Sequence, residues 1–234
     1  MSSGDTQHVS TESDDKPRRV GRPRASGVES EGDVRTQILQ AAAVLFVQQG
    51  YTGSSTREIA AAAGLRQGLL VHYFPKKQDI FTALLTRSLD ESLATVAELS
   101  ASSLAPEDQL FRLVHEGILE LCVDRSSSLM LLPEAKQPEF ASFWAQREVL
   151  RSAYRNLISA GCEVGSFAVD DLTLATDAAI GAVESVVIWF DADNATTPAA
   201  CADHLAGMII GHLLDDQSDL DAIVAAANEA LAEP

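Results

Sequence analysis

The sequence predicts an all-α protein: an N-terminal three-helix unit of helix-turn-helix type joined to a larger helical body. Three observations predict it. Alanine and leucine dominate while aromatic residues make up only 6% of the chain, a composition that favours helix. Apolar residues recur at helical rather than alternating spacing. No run reads convincingly as a strand, because even "ESVVIWF" continues a helical period.

Residues 1–32 are rich in Ser, Gly, Asp, Glu and Arg and carry no apolar residue larger than Val after Met1. Such a segment cannot bury enough surface to offset the entropy of ordering, so it is expected to be a disordered arm. From Asp33 the pattern changes: Ile38, Leu39, Ala42, Leu45 and Phe46 mark a helix that Gly50 stops. "YTGSST" reads as a loop in which Ser54 or Ser55 caps the next helix. Ile59, Ala60 and Ala63 form the inner face of that second helix, which ends at Gly64. A third short helix follows through Leu69–Phe74, with Leu65, Leu70 and Phe74 facing inward. Arg66, Gln67, Leu69, His72 and Tyr73 are then left to face outward. Pro75 starts a fourth helix that continues to about Ser100.

The body, residues 82–234, reads as long helices with short breaks. Pro106–Asp124 is amphipathic, a shorter apolar segment covers Ser128–Ala135, and Pro138–Ala160 is long. Glycines in "GCEVGSF" supply a C-cap. Asp171–Phe190 and Pro198–Leu214 follow, with a weak terminal helix at Leu220–Leu231.

Net charge is −17, yet its distribution is uneven. Residues 16–81 hold ten Lys/Arg against five Asp/Glu, whereas residues 82–234 hold seven against twenty-five. A basic end on an acidic body suits a protein in which one module meets phosphate and the other does not. The first helices and the tight turn at Gly64 make a helix-turn-helix by physical argument, with the third helix offering its N-terminal residues to a major groove.

The stretch "SSTREIAAAAGLRQGLLVHYFPKKQDIFTALL" also resembles the DNA-binding unit of TetR-family transcriptional regulators, over about 50 residues from Asp33 to Leu85. Residues 100–234 match that family only in helix count and in the "GCEVGSFAVDD" break. The resemblance implies a DNA-binding domain at 33–81 and a ligand-binding and dimerisation domain at 82–234. Thr56 falls where the family contacts phosphate, and Arg57 where it reaches bases or phosphate. Arg66, Gln67, Gly68 and Leu69 occupy the major-groove end of the recognition helix. His72 and Tyr73 fall at backbone-touching positions, and Lys77 matches a phosphate-binding lysine. Arg and Gln suit guanine and adenine edges, while Lys suits phosphate. Many relatives carry Thr or Ser where Leu69 stands and Tyr where Val71 stands, so polar base readout falls on Arg66 and Gln67.

The arm "RRVGRPR" adds a basic segment that Pro23 keeps extended. Arg22 and Arg24 are candidates for a narrow minor groove, with a flexible basic tail as the alternative.

The partners expected are double-stranded DNA, a second copy of the chain and a small-molecule effector of unknown class. "AAIGAVESVVIWF" and "CADHLAGMIIGHLL" place Ala179, Gly181, Gly207 and Gly211 beside large apolar residues and pair naturally as a four-helix dimer interface. Candidate pocket residues are Phe111, His115, Met130, Phe140, Phe143, Trp144, Tyr154 and Trp189, each of which also reads as plain core. The resemblance adds Glu134, in a segment that moves on ligand binding in the family. Arg147, Arg151 and Arg155 line one helix face, as a solvated ion-paired row or as an anion subsite.

Catalysis is not expected, for there is no GxSxG, phosphate-cradling glycine loop or HExxH, and no cofactor motif. His204 and His212 are eight apart, too far to share a metal within one chain. Three scattered cysteines without CxxC spacing read as small apolar residues in a reduced compartment. No window of about 18 uninterrupted apolar residues and no apolar run at the N-terminus occur, so the cytoplasm is the expected location, without membrane association. The resulting reading is a dimeric, ligand-responsive repressor of a palindromic operator. The alternative is an architectural DNA-binding protein without an effector.

Overall fold

A computed structural model describes residues 31–191, 195–215 and 223–225. Among these residues, eight α-helices of seven residues or more follow in order: α1 (Glu31–Gly53), α2 (Thr56–Ala62), α3 (Gln67–Tyr73), α4 (Lys77–Ser100), α5 (Pro106–Val123), α6 (Ala141–Val164), α7 (Leu172–Trp189) and α8 (Pro198–Leu213). Among the described residues the only extended pairing is one isolated bridge between Phe167 and Leu214. The arm carrying Arg22 and Arg24, and all but a few residues of the expected terminal helix, lie outside the described residues.

Several boundaries differ from expectation. Helix α1 already begins at Glu31, and Gly50 interrupts it with φ 75° before one further helical turn, Tyr51–Gly53. The expected loop therefore shrinks to Ser54 and Ser55. The segment between α5 and α6 forms three successive 3-10 turns, Arg125–Leu131, Pro133–Lys136 and Pro138–Phe140. Two prolines within six residues prevent a continuous α-helix there, since each lacks an N–H donor. Helix α6 runs to Val164, and Gly165, at φ 85°, is its left-handed cap. Gly161 stays inside the helix for a different reason, steric rather than conformational: a Cβ there would lie 2.1 Å from Cδ2 of Phe167.

Two apolar cores result. The first gathers Ile38, Phe46, Ile59, Leu70, Phe74, Ile80, Phe81 and Leu84 from α1–α4, and extends to Leu129, Ala135, Phe140 and Phe143. The second joins α5 to α8 through Leu110, Phe111, Ile118, Val183, Ile209 and Ile210. The expected boundary at residues 81/82 therefore falls inside one uninterrupted helix. Helix α4 has Ile80 to Leu89 in the first core and Leu99 in the second, so it contributes to both.

All three cysteines are free. Cys122 and Cys201 share a hydrogen bond in the second core, and burial pushes the Cys122 thiol up to about 12, which leaves little thiolate for redox chemistry. Two arginines of the α6 row are ion-paired across to α7 and the third is hydrogen-bonded to it. Arg147 holds Glu184 through Nε and a second guanidinium nitrogen at 2.7 and 2.6 Å, Arg151 holds Asp177 at 2.8 Å, and Arg155 donates to the Thr173 hydroxyl at 2.9 Å. The charges of Arg147 and Arg151 are thus matched by acids, which disfavours an anion subsite at those two positions.

Candidate nucleic-acid interface

Helix α2 opens on a complete capping box. The Glu58 amide donates to Ser55 Oγ at 3.2 Å, and the Ser55 amide donates back to Glu58 Oε2 at 2.9 Å. This satisfies two otherwise orphaned donors and sets the helix direction. At the other end, the Leu65 amide donates to the Ala60 carbonyl (2.8 Å) and the Gly64 amide to the Ala61 carbonyl (3.1 Å). That pair of bonds is a Schellman motif, and it requires the left-handed Gly64, φ 69°. The turn leaves α3 projecting from the unit.

Leu70 (0% exposed) and Phe74 (3%) anchor α3 in the core. Arg66 is the N-cap and makes no capping bond through its side chain. Arg66, Gln67, Gly68, Leu69 and His72 all face solvent. Leu69 and Val71 are 40% and 42% exposed, so they form an outward apolar pair with no core role. Thr56 is half-buried at the start of α2, and Arg57 beside it is exposed. Tyr73, expected to face out, is half-buried instead, with its ring edge-on to His72 at 5.5 Å. The structure thus brings together Thr56, Arg57, Arg66, Gln67, Gly68, Leu69 and His72 on one compact unit.

Lys77, expected at a phosphate, makes its bonds within the fold. Its Nζ donates to the carbonyls of Tyr51 (2.7 Å) and Ser54 (2.8 Å) and sits 4.3 Å from the Tyr51 ring centroid. Burial lowers its pKa, opposed by Glu134 and Glu58. The ammonium thereby closes the α1–α2 corner, where Gly50 leaves carbonyls without helical partners. Lys76, one residue earlier, is exposed. Lys77→Met is expected to lower stability by about 1–2 kcal/mol through these lost charge-assisted bonds. Lys76→Met is expected to stay within about 0.5 kcal/mol of wild type. Urea denaturation of both variants checks the contrast.

The expected pocket residues do not meet. Phe111, His115 and Tyr154 are buried in the second core, with the Phe111 and His115 rings stacked at 5.9 Å. Met130, Phe140, Phe143 and Trp144 pack against the first core, where Phe140 lies edge-on to Phe81 at 4.9 Å. Trp189 is 50% exposed and donates to Ser185 Oγ at 3.1 Å. Glu134 accepts a 2.7 Å hydrogen bond from Thr52, which holds its carboxyl below the usual range. It therefore ties the 3-10 segment to α1.

A cavity of about 420 Å³ lies elsewhere, between α4 and α5, lined by Arg87, Glu91, Ser92, Thr95 and by Glu116, Leu119, Glu120, Val123 and Asp124. That volume falls within the range of small-molecule sites. Its sequence signal is the recurrence of acids at Glu116, Glu120 and Asp124, four residues apart on one face. Burial, then the neighbouring Glu91, push Glu120 up to about 8, against a lowering by its Ser92 hydrogen bond. The unfolded chain gives up this proton near 4.5 and the folded chain near 8. The Glu120 contribution to stability is therefore full below about 4.5 and is lost as pH rises to about 8. Thermal melts of wild type and Glu120→Gln across that window are expected to converge at low pH, with the wild type falling away as pH rises.

Residues 38–84 match the family model described as bacterial regulatory proteins, tetR family. Residues 103–213 match a tetracyclin repressor-like C-terminal domain. The HTH-type transcriptional repressor KstR2 of Rhodococcus jostii is 26% identical over 196 residues, covering 82% of this chain and 96% of that protein. Among solved structures, Mycobacterium smegmatis AmtR is 33% identical with a TM-score of 0.70, covering 94% of this chain and 100% of that one. AibR, solved in complex with isovaleryl coenzyme A and operator DNA, shares the fold: TM-score 0.65 at 23% identity, covering 75% and 97% of the respective chains.

Proposed function

Because this chain belongs to the tetR family of bacterial regulatory proteins, whose members here are transcriptional regulators, we propose that it is a dimeric, ligand-responsive repressor of a palindromic operator. The observation that carries the DNA reading is the N-terminal end of α3. Arg66, Gln67, Gly68 and Leu69 stand free of the fold while Leu70 and Phe74 hold the helix rigidly beneath them. Gln67 and Arg66 supply bidentate donors and acceptors for base edges. Leu69 and Val71 offer apolar surface for thymine methyls. Thr56, Arg57, His72 and the exposed Lys76 serve the sugar-phosphate backbone. Arg22 and Arg24 add minor-groove or tail contacts that steepen the salt dependence.

One recognition helix covers only a half-site, so two copies are needed, with their α3 helices roughly 34–36 Å apart. The outer faces of α7 and α8 support such pairing. Leu174 (67% exposed), Ile188 (72%) and Met208 (53%) lie outward, and a Cβ at Gly181 or Gly207 would meet open space. Ala179 and Gly211, also candidates for that seam, are buried in their own protomer. Helix α7 is long and apolar enough to cross a membrane, but its Asp177 and Glu184 are ion-paired to α6. A packed dimer face in the cytoplasm accounts better for its exposed apolar surface. Met208→Glu is expected to convert dimer to monomer in sedimentation velocity and to abolish operator binding.

Repression is released when an effector binds better to a dimer whose helix spacing no longer fits DNA. The complex of AibR with a coenzyme A thioester and operator DNA supports the coexistence of both ligand types on this fold. Selection of bound sequences from a random DNA pool tests the reading. A short palindrome is expected, and uniform weak coverage would sink it. Gln67→Ala is expected to relax base preference at one or two positions of each half-site, by about 1–3 kcal/mol per base. An unaltered preference would mean that α3 meets DNA in another orientation.

A further inference from the structure

The cavity between α4 and α5 is of ligand size, and its charges do not balance. Among the described side chains Arg87 is the one basic group lining it, and that guanidinium already donates to Asp124 at 2.9 Å and to Ser126 Oγ at 3.3 Å. Arg112, on the neighbouring turn of α5, holds Glu116 at 2.7 Å and reaches Glu98 at 3.4 Å. Thr95 donates to the other oxygen of Glu116. Arg87 in the wall and Arg112 just outside it are thus already matched by acids. Glu91 and Glu120 remain as additional carboxyls on the wall, and Glu120 accepts only a 3.2 Å hydrogen bond from Ser92. Beside them Leu119 and the 72%-exposed Val123 provide an apolar shelf.

We propose that this cavity is the effector site and that its ligand is an organic cation, a primary amine or guanidine on a short aliphatic body. The cationic head lies between Glu91 and Glu120, with the Ser92 and Thr95 hydroxyls beside it, and the aliphatic part lies on Leu119 and Val123. This rests on the ligand-responsive reading above. A coenzyme A thioester, with its several phosphate charges, meets repulsion here from the same carboxyls. The position explains a route to the DNA-binding unit: one wall is α4, whose first turns belong to the α1–α3 core. A head group inserted against Glu91 shifts α4 relative to α5 and carries that core with it.

The raised Glu120 adds a signature. Near neutrality it holds a proton, and an arriving ammonium favours the carboxylate, so binding expels that proton. The other titratable groups around it, Glu91 on α4, Glu116 on α5 and Asp124 beyond its end, are all acidic, and Arg87 is matched by Asp124. Amines keep their charge well above pH 9, so affinity is expected to rise about tenfold between pH 7 and pH 9 as Glu120 ionises.

Calorimetric titration of the full-length protein with butylamine, putrescine, butyrate and butyryl coenzyme A tests this, in two buffers of different ionisation heat. Saturable binding of the amines with proton release, and none of butyrate, is expected. Glu120→Gln is expected to bind at least about tenfold more weakly, with a flat pH profile. Proton release by the wild type reads the same group should that variant not fold. Absence of saturable amine binding at millimolar concentration, or butyrate binding equal to that of butylamine, overturns the inference. Operator release, followed by fluorescence anisotropy, separates it from the broader reading. Release by butyryl coenzyme A without amine binding overturns the cation site and leaves a ligand-responsive repressor. Amine binding with unchanged operator affinity keeps the site and removes the repressor mechanism.

Discussion

Gly161→Ala is expected to destabilise the protein by about 1–3 kcal/mol, the usual range for forcing a methyl into a packed core. The added Cβ would lie 2.1, 2.6 and 2.9 Å from three atoms of the Phe167 ring. The ring has no simple way to retreat. Phe167 is 3% exposed, and the amides of Ser166 and Phe167 both donate to the Gly161 carbonyl, at 2.9 and 3.2 Å. Ala168 and Asp215 tie the same loop to the end of α8 through bonds of 2.9 and 3.1 Å with Leu213 and Ser166. At roughly 2–4 °C per kcal/mol for a chain of this size, differential scanning calorimetry should register a clear fall in Tm. Adding Phe167→Leu, which shortens the ring to a branched chain, is expected to recover part of the loss. A wild-type melting profile for Gly161→Ala would show that the helix and the ring are not in contact in solution.

Gly68→Ala is expected to do the opposite to the two properties that matter. Gly68 is the second residue of α3, exposed, and a Cβ there would touch nothing in the protein. Alanine in that helical position therefore raises stability by a few tenths to about 1 kcal/mol. A glycine that costs stability and fills no need of the fold points to close approach by a partner. On the proposed docking, the duplex occupies the space into which the methyl projects. Operator affinity is expected to fall at least about tenfold, or about 1.4 kcal/mol, while Tm is unchanged or higher. Anisotropy titration beside a thermal melt separates the two effects. Unchanged affinity would remove Gly68 from the interface.

Local chemistry made the DNA-facing unit legible from residues alone. A serine before the second helix, Gly64 at the tight turn, and the inward period of Leu65, Leu70 and Phe74 are signals between near neighbours. Each is decided within one or two helical turns, so the sequence carries it whole. Of the two readings of the Arg147, Arg151 and Arg155 face, the ion-paired one describes Arg147 and Arg151, although only the packed α7 names Glu184 and Asp177 as the partners; Arg155 meets the Thr173 hydroxyl.

Lys77 and the pocket residues were not legible in that way. Which of two adjacent lysines meets solvent depends on where the carbonyls of Tyr51 and Ser54 end up, some two dozen residues away in sequence. Aromatic residues of α5 and α6 look alike as pocket lining in sequence. Phe140 and Phe143 nevertheless join the core beneath the DNA-binding unit, while Phe111 and Tyr154 join the other. The sequence by itself determined the succession of helices, the cap of α2 and the polar, outward N-terminal end of α3, because those follow from periodicity and nearest-neighbour hydrogen bonding. Only the tertiary structure decided that α4 belongs to both cores, that Lys77 braces a corner, and that the ligand-sized space lies between Glu91 and Glu120. Those outcomes depend on surfaces distant in sequence coming within a few ångströms, and on the loss of solvent that follows.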